Sequence, residues 1–319
     1  MTACAAATEP GVSYVITVYN KRAFLPAVIA GLAAQQGSFA REFVFVDDGA
    51  TDGSADEIAR LTEGWSDVKI LRQSNHGLSH ATNRGMEEAR HRYIKLVDAD
   101  DVLMPYATQI LVEGLLRHPG SVLAHGSGAV YASPQDAVAR LTASLPQIAV
   151  AYRVDTGPMA GLLRHHTPPP SACLYSTAAV RAVGGCDPEI FIQDFSLALR
   201  LATVGAFVSV DAVVTLGPAV AEGRLDDDGP QCLHDANLAI ANFLGERSLP
   251  RALVRTAVRR ATTRAYLWAR RRERAGLFSY WTWLWLCGLL PLPGLAAGLV
   301  RQSCRAFTLS QPVRPGSPQ

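Results

Sequence analysis

Short apolar runs alternate with amphipathic ones along the first 131 residues. VSYVITV (12–18), EFVFV (42–46), VKIL (68–71), YIKLV (93–97) and VLAHGSGAVY (122–131) are rich in β-branched and aromatic residues and predict strands. Between them, AFLPAVIAGLAAQ, SADEIARLTEG, LSHATNRGMEEARH and MPYATQILVEGLLRH repeat their apolar positions at helical spacing. Strands that are apolar almost throughout, each followed by a helix, imply a mostly parallel sheet covered on both faces, and therefore an α/β fold. Sheets of this kind hold their ligands at the carboxyl ends of the strands.

Beyond residue 132 the rhythm loosens. RHHTPPPSACLY (164–175) predicts a Pro-stiffened loop feeding a short strand, and STAAVRAVGGCDPE a helix that Gly184 and Gly185 stop. DFSLALRLATVG (194–205) and GPQCLHDANLAIANFLGE (229–246) predict two further helices. A length of 319 residues, 49% of them hydrophobic, allows one full core plus an appendage. The net charge of +2 hides an asymmetry: residues 251–319 hold 12 Arg against one acid, which is +11 and leaves −9 on residues 1–250. The six cysteines are scattered, with no C-x-x-C pair and no His at ligand spacing, a pattern of free thiols in a reducing compartment. No basic segment precedes the first apolar run, so a signal peptide is not expected.

Three loops follow predicted strand ends: TVYNK (17–21), VDDGATDGS (46–54) and VDADD (97–101), the last two with three carboxylates each. Three carboxylates, Asp98, Asp100 and Asp101, leave a buried strand together, where like charges repel and burial is costly without a cation. Asp98 and Asp100 are two apart and share a face if the segment is extended. Hard oxygen ligands suit Mg2+ or Mn2+, ions that take one or two protein carboxylates and complete their shell with phosphate oxygens. VDDGATDGS also has plain turn composition, so its acids alone decide nothing.

VSYVITVYNK, VFVDDGATDGS, NHGLSHATNRGM (75–86) and YIKLVDADDVLMP occur in the order and spacing of the family 2 glycosyltransferases, and STAAVRAVGGCDPE and IQDFSLALRLA resemble that family's acceptor-side segments. The resemblance covers about residues 12–245. It implies the GT-A fold: a nucleotide-sugar-binding half over 12–131 and an acceptor-binding half over 132–249. A basic, aromatic helical tail (250–308) follows, and 1–11 and 309–319 are expected to be disordered. By resemblance Thr17, Tyr19 and Asp48 grip the donor's base and ribose, and Asn83 packs beside the donor. Gly77 and Gly85 permit close backbone approach. Asp98 meets ribose or sugar hydroxyls, Asp100 the metal, with Asp101 sharing that role, and Asp194 is the general base. His234 is a candidate metal ligand or, equally, a helix-face His bonded to the body. The implied reaction is inverting transfer from a nucleoside-diphosphate sugar, a UDP-sugar first, to a saccharide or lipid-linked acceptor, with Mn2+ or Mg2+. Thr17 stands where many members have Pro, Ala50 where many have Ser, and Gln193 where an acid often precedes the base.

The tail suggests a location. RALVRTAVRRATTRAYLWARRRER (251–274) carries nine Arg, and 275–300 runs 26 residues without a charge. Its prolines and glycines favour an interfacial segment over a span, its Trp residues suit the headgroup boundary, and the Arg run suits anionic lipid. Contact with the cytoplasmic face of a membrane is expected, in cell-envelope or extracellular glycan synthesis; the greasy neighbour speaks against nucleic acid. The alternative reading is that these helices cap the catalytic domain. Two other functions compete. VDADDV satisfies the Asp-x-Asp-x-Val loop of haloacid-dehalogenase-type phosphatases, with DDD at 226–228 as an acidic pair, and Gln193 would suit a catalytically degenerate GT-A binding module.

Overall fold

The computed structural model describes residues 10–142, 150–164, 167–191, 193–219, 229–272, 276–290 and 293–307. Gly11–Val18 (β1), Leu25–Ala33 (α1), Ala40–Asp47 (β2), Ser54–Leu61 (α2), Val68–Arg72 (β3), Leu78–Glu88 (α3) and Tyr93–Asp98 (β4) form successive strand–helix units. These strands pair in parallel in the order β3-β2-β1-β4. Their side chains alternate between two cores. Val15, Val44, Val46, Ile94 and Leu96 face one, and Tyr14, Ile16, Phe43, Phe45 and Val97 the other, which is why the strands are apolar on both faces.

The rest of the chain enlarges and covers this sheet. Val102–Leu103 (β5), Ala107–Arg117 (α4), Ser121–Tyr131 (β6), Pro134–Ala139 (α5), Tyr152–Asp155 (β7), Pro158–Leu162 (α6), Cys173–Ser176 (β8), Thr177–Val183 (α7), Gln193–Leu201 (α8) and Ala206–Pro218 (β9) follow in sequence. The full order is β3-β2-β1-β4-β8-β6-β9-β5, with β7 on β9. Beyond β4 the sheet is mixed: β8 joins β4 and β6 antiparallel, while β6 and β9 run parallel. Gly184 ends α7 in the left-handed conformation. Gly85 serves helix packing, because a Cβ there would collide with Val15 of β1.

Gly229–Glu246 (α9), Arg251–Arg272 (α10), Tyr280–Leu289 (α11) and Ala296–Ser303 (α12) complete the fold. The last three lie in the stretch expected to be an appendage, yet two of them share the main core. Ala257, Val258 and Ala261 of α10 and Ala296 and Val300 of α12 are buried in one cluster with Leu197, Leu199 and Ile240 of α8 and α9. Even the Arg run reaches inside: Arg264 donates to Asn237 Oδ1 at 3.1 Å, and burial lowers its guanidinium to about 10. Among the described residues no helix is long and apolar enough to cross a membrane.

Candidate active site

The parallel register sets the site. Thr17 of β1 lies beside Asp98 of β4, and Val18 beside Asp47 of β2, so three loops leave the sheet at one end. Asp98 has the parity of Ile94 and Leu96 and so points to the face on which α3 and α8 pack. Its backbone N–H donates to Ser171 Oγ at 2.9 Å. The strand ends at Asp98, and a turn follows in which the Asp101 N–H donates to the Asp98 carbonyl at 2.9 Å. Turn geometry, not strand alternation, therefore orients Asp100. Tyr131 Oη donates to the Asp100 carbonyl at 2.8 Å and pins that turn to β6.

The acids crowd one another. Burial pushes the Asp98 carboxyl well above the usual carboxylate range, and the charges of Asp101, Asp100 and Asp194 push it further, with Lys21 opposing. Asp194 thus comes from α8, in the other half of the chain, into the field of the β4 carboxylates. Two lysines supply the compensation within the protein. Lys21, in the loop after β1, places Nζ 2.7 Å from Asp100 Oδ2. Lys95, fully buried in β4, donates to the carbonyls of Ser171 and Cys173, the latter at 3.0 Å. Burial draws its ammonium down to about 8, against the pull of Cys173, Asp101 and Asp98. Neither lysine was singled out from sequence. The available signal was a lone cation inside an apolar strand and another at the end of the neighbouring strand.

The other expected site residues divide. Tyr19 is half exposed at the mouth of the loop, open to a flat ligand. Asp48 is buried, and its carboxylate accepts from Gln73 Nε2 at 2.7 Å and from the N–H groups of His76 and Gly77 at 2.9 Å each. It ties the 73–77 loop to the end of β2, with Gly77 at φ +89°. Asp47 and Asp52 fasten their own turn, through the N–H groups of Ala50 and Ser54. Asn83 does not stand open: its amide closes on the backbone of Cys186, accepting at 2.8 Å and donating at 3.0 Å. It joins α3 to the turn after α7. His234 bonds Asp235 Oδ1 at 2.9 Å on α9. Among the described residues no three His, Cys, Asp or Glu side chains converge to hold a metal, so Asp100, Asp101 and His234 do not form a ready three-ligand set. His165, His166 and the acidic run 226–228 lie outside the described residues.

A divalent cation nevertheless fits the donor chemistry. Asp98, Asp100 and Asp101 are hard oxygen donors in excess of the local positive charge, and an ion needing only one or two carboxylates would relieve them. Asp194 Oδ1 accepts the Phe195 N–H at 2.7 Å in the first turn of α8, where the helix dipole favours negative charge. Gln193 beside it is buried, a position suited to a neutral side chain.

A sheet opening β3-β2-β1-β4, with its acidic loops at one end and a second half laid across them, defines the GT-A class. S. aureus TarS 1–349 in complex with UDP-GlcNAc is similar over 92% of this chain and 89% of that one, with a TM-score of 0.62 at 15% identity. The mannosyltransferase PcManGT from Pyrobaculum calidifontis, in complex with GDP-Man and Mn2+, is similar over 93% and 88%, with a TM-score of 0.56 at 14% identity. Residues 13–156 match the model of Glycosyl transferase family 2. An uncharacterized glycosyltransferase of Nostoc sp., alr2836, is 39% identical over 103 residues, 32% of each chain. The chain thus spans about a third of the length of the curated relatives it matches. A phosphatase of the haloacid-dehalogenase type would carry its Asp-x-Asp loop on the first strand; here that loop follows β4.

Proposed function

We propose that this protein transfers a sugar, with inversion, from a nucleoside-diphosphate sugar to an acceptor hydroxyl. The observation that carries the reading is the meeting of Asp98, Asp100 and Asp101 with Asp194, residues from two halves of the chain, at the carboxyl end of the parallel strands. Thr17, Tyr19 and Asp48 are assigned to the nucleoside, Asp48 by holding the 73–77 loop against it. Asp98 is assigned to ribose or sugar hydroxyls. Asp100, with Asp101, would hold Mn2+ or Mg2+, which neutralises the charge of the departing diphosphate. Asp194 accepts the proton of the attacking hydroxyl. A UDP-sugar is the first donor to try, since TarS binds UDP-GlcNAc; GDP-sugars follow from PcManGT. Thermal-shift measurements with UDP-, GDP- and dTDP-sugars plus Mn2+ test this, because a ligand of the folded state raises Tm, by about 2.7 kcal/mol of stability at 100 Kd. One sugar nucleotide should raise Tm well above Mn2+ alone. No response to any of them would contradict the proposal.

We further propose a saccharide or lipid-linked acceptor at the cytoplasmic face of a membrane, reached through 250–308. Support comes from how the aromatics of α11 and of the turn before it divide. Trp285 stacks on Tyr266 at 5.1 Å and Trp281 packs toward Ala306 and Phe307, so both serve the capping role. Phe278, 91% exposed, and Trp283, 59% exposed, point outward with Leu277, Leu290 and Leu295. Apolar surface of this kind beside an Arg-rich helix fits an anionic bilayer interface. Phe278→Ser with Trp283→Ser should release the protein from anionic vesicles with Tm unchanged, and salt should weaken binding of the wild type. Wild-type protein that ignores such vesicles would leave α11 as a cap.

A further inference from the structure

Residues 186–191 connect α7 to α8 and run directly into Asp194, and they are gripped from several sides. Ser79 Oγ donates to the Ile190 carbonyl at 2.5 Å, and the Asp187 N–H donates to Ser196 Oγ at 3.1 Å. The remaining grips come from α9. Asp235, 2% exposed, accepts the Phe191 N–H at 2.9 Å, and Gln231 and His234 converge on its other oxygen. His234 therefore reaches this loop at one remove. Asn242 places its Nδ2 2.9 Å from both Asp187 Oδ2 and Glu189 Oε2. One amide thus spans two carboxylates that would otherwise repel. Its Oδ1 accepts from Arg301 Nη2 of α12 at 2.6 Å.

The order matters physically. A guanidinium on the amide oxygen polarises the amide and strengthens its two N–H donors, so the charge of Arg301 is felt by Asp187 and Glu189 through Asn242. Asp187 is in turn bonded to Ser196, one helical turn into α8 and on the segment that carries Asp194. We infer that Asn242 and Arg301 are positioning residues for Asp194, which makes the C-terminal helices part of the catalytic frame and not a detachable anchor. The inference rests on the proposed role of Asp194. It bears on geometry: a misplacement of about 1 Å by a distant change can cost roughly 10²-fold in rate.

The test uses the full chain with Asn242→Ala, Arg301→Met and Arg301→Lys. Hydrogen exchange of the 186–197 segment, measured without ligand, should accelerate about tenfold in Asn242→Ala and Arg301→Met, the scale of one charge-assisted hydrogen bond. β1–β4 should exchange as in the wild type, and Arg301→Lys should restore the segment. Nucleoside diphosphate release from the sugar nucleotide that raises Tm most should lose kcat about tenfold or more in the first two variants, with KM for the donor unchanged. Unchanged exchange and kcat in Asn242→Ala would overturn the inference. So would exchange that rises throughout the chain with falling Tm, which marks general support only. An altered segment in a protein that turns over no donor would instead count against the transfer reading.

Discussion

Asp100→Ala should reduce sugar transfer to the level that EDTA leaves in the wild type, a loss of roughly 10²-fold or more, as expected when charge stabilisation of a leaving group is removed. EDTA should have no further effect on the variant. The fold should persist, because two opposed effects meet at this residue. Removing the carboxylate takes away the partner of Lys21, a part-exposed ion pair of the kind worth at most about 1 kcal/mol. It also removes one of the charges that force the Asp98 carboxyl upward, which relieves crowding. Melting temperature should therefore stay near that of the wild type while activity collapses. Full transfer by Asp100→Ala in the presence of EDTA would contradict the metal-bearing role.

Much of the first half can be read from residue pattern, because most strands of the parallel sheet are apolar on both faces and β2 and β4 end in acidic loops. β1 to β4 and β6 follow the runs that predict them to within a residue or two. β9 did not emerge although AFVSVDAVVTLGP is β-rich, since nothing local shows that it continues a sheet begun before residue 131. β5 and β7 are too short for any periodic signal. Within the site, Asp98 to Asp101 announce themselves by charge, but the turn that aims Asp100 depends on Tyr131, far along the chain. Asn83 and His234 look alike as polar candidates. Only the fold shows that their side chains bind Cys186 and Asp235. In the tail Ala257, Val258, Ala261 and Ala265 recur at helical spacing and mark the face of α10 that packs inward, whereas the inward reach of part-buried Arg264 to Asn237 is visible only in the fold.

The central claim is that Asp194 takes a proton from the acceptor at the site the β4 carboxylates define. Asp194 sits in the first turn of α8, where its Oδ1 accepts the Phe195 N–H, so a purely structural role is a real competitor. Substitution by Asn separates the two. The Asn side-chain oxygen accepts the same bond, and Asn serves a helix start about as well as Asp. Asn cannot serve as a base, however, and general-base removal typically costs roughly 10²- to 10⁴-fold. The dipole at the start of α8 favours a negative charge in both explanations and so does not distinguish them. The decisive measurement is nucleoside diphosphate release from the bound sugar nucleotide by wild type and Asp194→Asn side by side, with Tm and donor affinity recorded for both. The structure predicts unchanged Tm and donor affinity with release slowed by about 10²-fold or more. Release at the wild-type rate from Asp194→Asn would contradict it, leave this residue a helix-start group, and move the base to Asp187 or Glu189.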